Sequence, residues 1–438
     1  MGSIDRLAWM LVLLLPALAG LLACRRRLPL GPRVALEYCM GLYVLTYFLG
    51  ATRLYLWQEA VVDDYYAGHG PLPIDLSWDD VLLVAALPLL IVPWFVLLLQ
   101  ETTGTLWRSF PQGGRIGGVA LGMGAGLGFG AGIALVAPQI PDLLNSAWNE
   151  LLATEGLKDL YARRREVFSG MRAMHAGLIY GTLPACAALL MFERGRERFA
   201  LRTAGLCMAA IAVVLMLGTF QIGPVMSFVL MLAFCFHAFT ARRLRWLPVL
   251  LIVVSGLGVL KLYSSLKEDG KTRQDSLLTF VMRMPIALPF ALEMKQEAPQ
   301  LVESTDSMPH ELAEFMDAEF RRGERFASMA LPGFVIGWMT DGAAGAIFSL
   351  ALIALLVFAG GNALECAGIS TRPGRGVALL SVMLGPALYY AFQIDLASVF
   401  VSSYGVLYLA IPVLLTIACH VTLATIAPPT PNALEEAT

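Results

Sequence analysis

The sequence predicts an all-α fold, a polytopic membrane helix bundle of about eleven transmembrane helices with two long helical loops on one side. Three observations predict it. Hydrophobic residues fill 58% of the 438 positions and charged residues only 15%, where a soluble domain carries about 25% charged residues. Mean hydropathy is +0.69. Apolar runs of about 20 residues, the length that crosses a bilayer core, recur along the chain.

The same totals exclude several classes. A net charge of −2 gives no global basic signal for nucleic acid. No glycine-rich phosphate loop precedes a lysine. The 7 cysteines, Cys24, Cys39, Cys186, Cys207, Cys235, Cys366 and Cys419, all lie in or beside apolar segments. They form neither a disulfide framework nor a CxxC pattern. The 5 histidines lack zinc-site spacing. No metal and no cofactor is expected.

The first apolar run, near 7–24, ends in Leu21-Leu22-Ala23-Cys24, similar to a lipoprotein cleavage site. Arg25, Arg26 and Arg27 follow at once, whereas a signal sequence carries its positive charge at the other end. It is read as a retained span. Further runs lie near 34–51, 81–100 and 116–137, then 175–193, 203–221, 223–239 and 246–265, and finally 343–361, 376–394 and 402–425. The chain therefore divides into spans 1–4 (1–137), a first loop (138–174), spans 5–8 (175–261), a large loop (262–342), spans 9–11 (343–427) and a polar tail (428–438).

Arginines set the orientation. Arg25, Arg26, Arg27 and Arg33 share one short loop; Arg108 and Arg115, Arg194 to Arg202, Arg242 to Arg245, and Arg372 and Arg375 mark four more. Positive short loops stay in the cytoplasm. An odd number of spans then puts the N-terminus outside and the C-terminus in the cytoplasm. Both long loops fall on the outer side.

Within the fourth run, Gly118, Gly122, Gly126 and Gly130 form one row, and Gly124, Gly128 and Gly132 a second. Small residues at this spacing let helices approach closely. The segment reads as a tightly packed central helix, or else as one bent around a lipid-linked substrate. Gly218 to Pro224 breaks the next long apolar stretch into a hairpin. His237 and His420, near the inner ends of their spans, read as interfacial.

The two long outer loops carry the candidate chemistry. In the first, Arg163, Arg164, Arg165 and Arg172 surround Glu166 on a stretch with a helical apolar stripe, and His175 follows. In the second, Asp275–Phe290 carries Arg283 and two prolines, too broken to span, and reads as lying at the interface. A helix from about Ser307 ends in Arg321, Arg322 and Arg325, with Glu319 among them. Guanidinium groups suit phosphate through planar, bidentate bonding; headgroup contact is the plainer use of each. Arginines can stabilise a leaving diphosphate without metal, and a carboxylate or histidine can take a proton from an acceptor hydroxyl. The candidate bases are Asp341, Glu166, Glu319 and His175. Asp341 stands where the chain re-enters lipid, an expensive place for a charge. It also precedes Gly342-Ala343-Ala344, where it would cap the ninth span.

The section from Tyr161 to Gly361 resembles the Wzy-type oligosaccharide repeat-unit polymerases, the O-antigen polymerase family. The resemblance lies in layout. Arg163-Arg164-Arg165-Glu166-Val167-Phe168-Ser169-Gly170 leads into a span, Arg194 to Arg202 follows, and then a short hairpin and a long loop. That loop closes on Leu331-Pro332-Gly333 and on Asp341-Gly342-Ala343-Ala344-Gly345 opening a span. Many members carry an arginine after the hairpin's glycine or serine, whereas this tip reads Thr219-Phe220-Gln221-Ile222-Gly223-Pro224. The resemblance implies a metal-independent, GT-C-like inverting glycosyltransferase. It would join undecaprenyl-diphosphate-linked glycans at the periplasmic face, making O-antigen, capsule or exopolysaccharide, with a chain-length regulator and a flippase as partners. An O-antigen ligase acting on lipid A core, and a polysaccharide transporter or flippase, are the alternatives. A transporter predicts repeated halves and mid-bilayer charges, and no internal repeat is visible.

Overall fold

The computed structural model describes residues 3–56, 78–108, 116–145, 173–193, 198–219, 222–240, 287–297, 299, 331–371, 373–392, 399 and 406–426. Every element among them is a helix. In chain order these are α1 (Ser3–Arg27), α2 (Leu30–Tyr43, running on through a π-helical turn at Val44–Phe48), α3 (Trp78–Arg108) and α4 (Gly118–Val136). A 3-10 turn at Ala137–Gln139 carries α4 onward to Asn145. Next, α5 is assembled from Ala173–Gly177, a π-helical turn at Leu178–Thr182, and Leu183–Met191. Then come α6 (Arg198–Gly218), α7 (Ile222–Thr240), α8 (Ala287–Glu297), α9 (Gly333–Asp341), α10 (Ala343–Cys366), α11 (Arg375–Tyr390) and α12 (Val406–Ile426).

Among the described residues, 8 helices are long and apolar enough to cross a membrane. They coincide with eight of the runs read from the sequence. The runs near 223–239 and 376–394 appear as the shorter helices α7 and α11. The run near 246–265 lies outside the described residues. Rows of exposed large apolar side chains, such as Leu11, Leu15, Leu18 and Leu22 on α1, are what a lipid-facing surface requires.

The chain folds into two compact units. The first comprises Met1–Pro111, Arg243–Cys366 and Ala387–Phe400. Here α2 starts against the end of α10. Gly31 and Gly361 bring the two backbones together with no room for a Cβ on either. The Gly31 N–H, one of the unsatisfied donors of a helix start, is taken by Glu365 Oε2 at 2.8 Å. The Tyr43 hydroxyl donates to the Ala85 carbonyl at 2.6 Å and ties α2 to α3. Asn362, buried in α10, donates to Gln100 Oε1 at 3.3 Å.

The second unit comprises Gln112–Arg242, Ala367–Pro386 and Val401–Thr438. Its α4 packs mainly by one glycine row, while Gly122 of the other row meets Leu201 of α6. Gly124 sits on the Thr416 backbone of α12, Gly128 meets Cys186 of α5, and Gly132 meets Leu183. A Cβ on Gly126 or Gly130 would meet nothing within 4 Å among the described residues. The closest approaches are made by the row 124–128–132. His237, in the last turn of α7, is 1% exposed and packs against protein.

A buried ion pair fastens this unit. Arg375, the first residue of α11, donates Nε–H to Glu193 Oε2 at 2.7 Å and Nη2–H to Oε1 at 2.6 Å. Its Nη1–H goes to the Ile116 carbonyl at 2.8 Å. Arg202 Nε–H binds the Glu193 carbonyl at 2.8 Å. Two of the arginines that set the expected orientation thus also close the helix ends.

Candidate functional site

The candidate site lies in the first unit, where α9 and α10 form a tight antiparallel hairpin. Glycine makes it possible. Gly337 packs directly on the Gly345 backbone, and neither position has room for a Cβ. One step further along, Ser349 Oγ donates to the Gly333 carbonyl at 3.2 Å. The turn is Gly342, with φ 65° and ψ −143°. Only glycine takes that conformation without strain. At a rise of about 1.5 Å per residue, α9 runs back along roughly the first 10 Å of α10. Residues 333–341 are thus a helix laid against a membrane span rather than a simple lead-in to it.

Asp341 is exposed at the tip of this hairpin. The Thr340 hydroxyl donates to its Oδ2 at 2.9 Å. The expected cap at this position is corrected: Asp341 is the last residue of α9, and Gly342 holds the capping position of α10, its carbonyl accepting from Ala346 N–H at 3.2 Å. The positive-φ glycine displaces the carboxylate by one residue.

A cation reaches the same tip from α8. Lys295 Nζ donates to the Trp338 carbonyl, in the last turn of α9, at 2.5 Å. A cation at a helix C-terminus opposes the helix dipole favourably. Burial pulls the Lys295 pKa below the ordinary lysine value, and the negative charge of Asp341 works against that shift. The sequence expectation placed Asp275–Phe290 at the interface. Within its described part, Ala287, Leu288 and Phe290 are at most 1% exposed and belong to α8. The helix uses its apolar face for protein packing instead of lipid.

Beneath the hairpin lies an aromatic cluster. Tyr43 and Tyr47 stack at 5.5 Å, and Phe334 of α9 meets them edge-on at 6.2 and 6.1 Å. Phe392 completes it, 4.7 Å from Tyr43. Tyr47 belongs to the π-helical turn of α2, and its buried hydroxyl has no hydrogen-bond partner among the described residues. Together, α8, the hairpin and this cluster fix one carboxylate and one ammonium at a helix tip. Such a pair can take a proton and hold an anion nearby.

Of the other site residues read from the sequence, Glu166, Glu319, Arg163, Arg164, Arg165, Arg172, Arg283, Arg321, Arg322 and Arg325 all lie outside the described residues. His175 is described, in the second unit. Its Nδ1 and Gln139 Nε2 share a 2.6 Å hydrogen bond. Lys295 was visible in the sequence only as one charge among many in the large loop. Its position after the apolar residues 287–294 was the available signal, since a helix that buries that stretch fixes where its lysine emerges.

Comparison with protein families, curated proteins and solved structures finds no match. The chain is a helical membrane protein on its own evidence.

Proposed function

We propose that the chain is a membrane glycosyltransferase that polymerises undecaprenyl-diphosphate-linked oligosaccharide repeat units at the periplasmic face of a bacterial inner membrane. The observation that carries the reading is Asp341: an exposed carboxylate on a rigid hairpin at the end of a membrane span, with Lys295 delivered beside it. The layout resemblance to repeat-unit polymerases supports the same reading.

In this reaction an acceptor sugar hydroxyl attacks the anomeric carbon of the growing glycan. The bond from that carbon to the diphosphate breaks, and the lipid diphosphate leaves with the electron pair. Asp341 takes the proton that the hydroxyl loses. Arg163, Arg164, Arg165, Arg172, Arg283, Arg321, Arg322 and Arg325 are the groups assigned to the diphosphate charge. Glu166 and Glu319 are the other carboxylates put forward as candidate bases. The N-terminus faces the periplasm, and a chain-length regulator and a flippase act beside the enzyme.

Asparagine in place of Asp341 tests the role. Asn accepts the Thr340 hydrogen bond but cannot take a proton at neutral pH. Turnover on purified lipid-linked repeat unit, normalised to folded protein, is expected to fall about 100-fold or more in Asp341→Asn and Asp341→Ser. Asp341→Glu is expected to retain part of it. Wild-type turnover in Asp341→Asn would remove Asp341 from the chemistry and pass the role to Glu166 or Glu319.

A further inference from the structure

The C-terminal end of α1 gathers arginines that the proposed transfer step does not use. Arg25, Arg26 and Arg27 close the helix, and Arg33 follows in the first turn of α2. Their contacts divide them. Arg27 Nη1–H donates to Glu101 Oε1 of α3 at 2.9 Å. Arg33 Nη1–H donates to the Arg25 carbonyl at 3.3 Å, which holds its guanidinium over the end of α1. The side chains of Arg25 and Arg26 are exposed and have no bonding partner among the described residues. The nearby carboxylates are taken, Glu101 by Arg27 and Glu365 by the Gly31 N–H. Glu37, a turn beyond Arg33, is engaged as well.

Helix geometry sets the direction each one faces. Successive residues advance about 100° around an α-helix. Leu13, Ala17, Gly20 and Cys24 therefore share one side of α1, and all are buried. That side meets α3: Gly20 faces the Trp94 ring, and the Cys24 thiol donates to the Pro93 carbonyl at 3.2 Å. Arg27 returns to the same side, where it reaches Glu101. Leu11, Leu15, Leu18 and Leu22 occupy the opposite, exposed side, as a lipid-facing row does. One turn past Leu22, Arg25 and Arg26 fall on either side of that row's continuation.

A phospholipid carries its groups in the same order. Its acyl chain matches the leucine row, and its phosphate comes where the row ends. Guanidinium groups bind phosphate through bidentate, charge-assisted bonds. Basic clusters directly beside a span attract anionic lipid. A zwitterionic headgroup brings its own cation to two guanidinium groups that no carboxylate contacts, and the repulsion cancels part of the attraction. A headgroup of net negative charge brings none.

We propose that Arg25 and Arg26, with Arg33 beside them and the leucine row of α1 below, bind an anionic phospholipid. The proposal goes beyond the transferase reading and does not rest on it, because binding is measured without turnover. The test uses the full-length protein with the photo-crosslinker p-benzoylphenylalanine in place of Leu22. It is reconstituted in vesicles of equal parts dioleoylphosphatidylglycerol and dioleoylphosphatidylcholine, which differ only in headgroup. Mass spectrometry identifies the lipid captured on irradiation. Phosphatidylglycerol is expected in roughly 10-fold excess. The same crosslinker at Leu217, exposed at the far end of α6 from Arg198 and Arg202, is expected to show no excess. Arg25→Gln/Arg26→Gln, checked for wild-type helicity and monodispersity, is expected to bring capture at residue 22 to parity. Arg25→Lys/Arg26→Lys keeps the charge without the fork and is expected to keep a smaller excess. Arg27→Gln/Glu101→Gln, on the protein side of the helix, is expected to leave the full excess. Equal capture of the two lipids at residue 22, an equal excess at residue 217, or an excess that survives the glutamine pair would overturn the proposal. So would its loss in the lysine pair or in the Arg27 and Glu101 variant.

Discussion

Replacing Arg375 by alanine removes at least three hydrogen bonds at once. Two go to the Glu193 carboxylate, at 2.7 and 2.6 Å, and one to the Ile116 carbonyl, at 2.8 Å. The Glu193 side chain is 0% exposed and that of Arg375 only 26%. Removing one partner of such a buried pair costs about 3–5 kcal/mol, because the carboxylate stays in a low-dielectric site. Lysine keeps the charge but loses the fork. It gives up at least one charge-assisted hydrogen bond, worth about 1.5–3 kcal/mol. The double variant Arg375→Met/Glu193→Leu removes both charges and is expected to recover most of the loss. At roughly 2–4 °C per kcal/mol, the alanine variant is expected to melt on the order of 10 °C lower. Thermal loss of the monodisperse peak in detergent reads this directly. An Arg375→Ala protein that melts within about 1 °C of wild type would refute the reasoning, since so small a change is a surface substitution's effect.

Three further outcomes are expected. Tyr47→Phe removes a buried hydroxyl without a partner among the described residues, so it is expected to hold stability or raise it by on the order of 1 kcal/mol; a marked drop in melting temperature in the same assay would show that the hydroxyl is satisfied. Gly337→Leu drives a side chain into the Gly345 backbone and is expected to pry the hairpin open, lowering turnover by 10-fold or more on the order of a misplaced catalytic group, while Ser349→Ala, which loses one 3.2 Å bond, is expected to stay near wild type. Cysteines introduced at Ser304 and Ala153 are expected to react with an impermeant thiol reagent from the periplasm, and cysteines at Gly195 and Gly374 are not; labelling at Gly195 would invert the orientation.

The sequence carried the spans well because hydrophobic length is a one-dimensional property. Each of the eight long helices among the described residues fills an apolar run of the chain. The glycine rows of α4 were legible as packing but not as to which row packs, since that depends on where Thr416, Cys186 and Leu183 come to lie. The α9–α10 hairpin was harder to see. Nine residues are too few to signal a helix by periodicity, and its stability comes from the contact of Gly337 with Gly345. Asp341 was visible as a charge at a membrane boundary, and its displacement from the cap turned on the positive φ of Gly342. The Glu193–Arg375 and Gln139–His175 pairs join residues far apart in sequence, and no local pattern announces them.

The central claim is a glycosyl transfer, and one measurement bears on it most directly. Purified protein, reconstituted in liposomes, is given an undecaprenyl-diphosphate-linked repeat unit as its sole glycan, and the products are separated by chain length while free undecaprenyl diphosphate is measured. The account predicts a ladder of lipid-linked oligomers, with one undecaprenyl diphosphate released for each bond formed. Substrate recovered unextended, with none of the lipid diphosphate released, would contradict it.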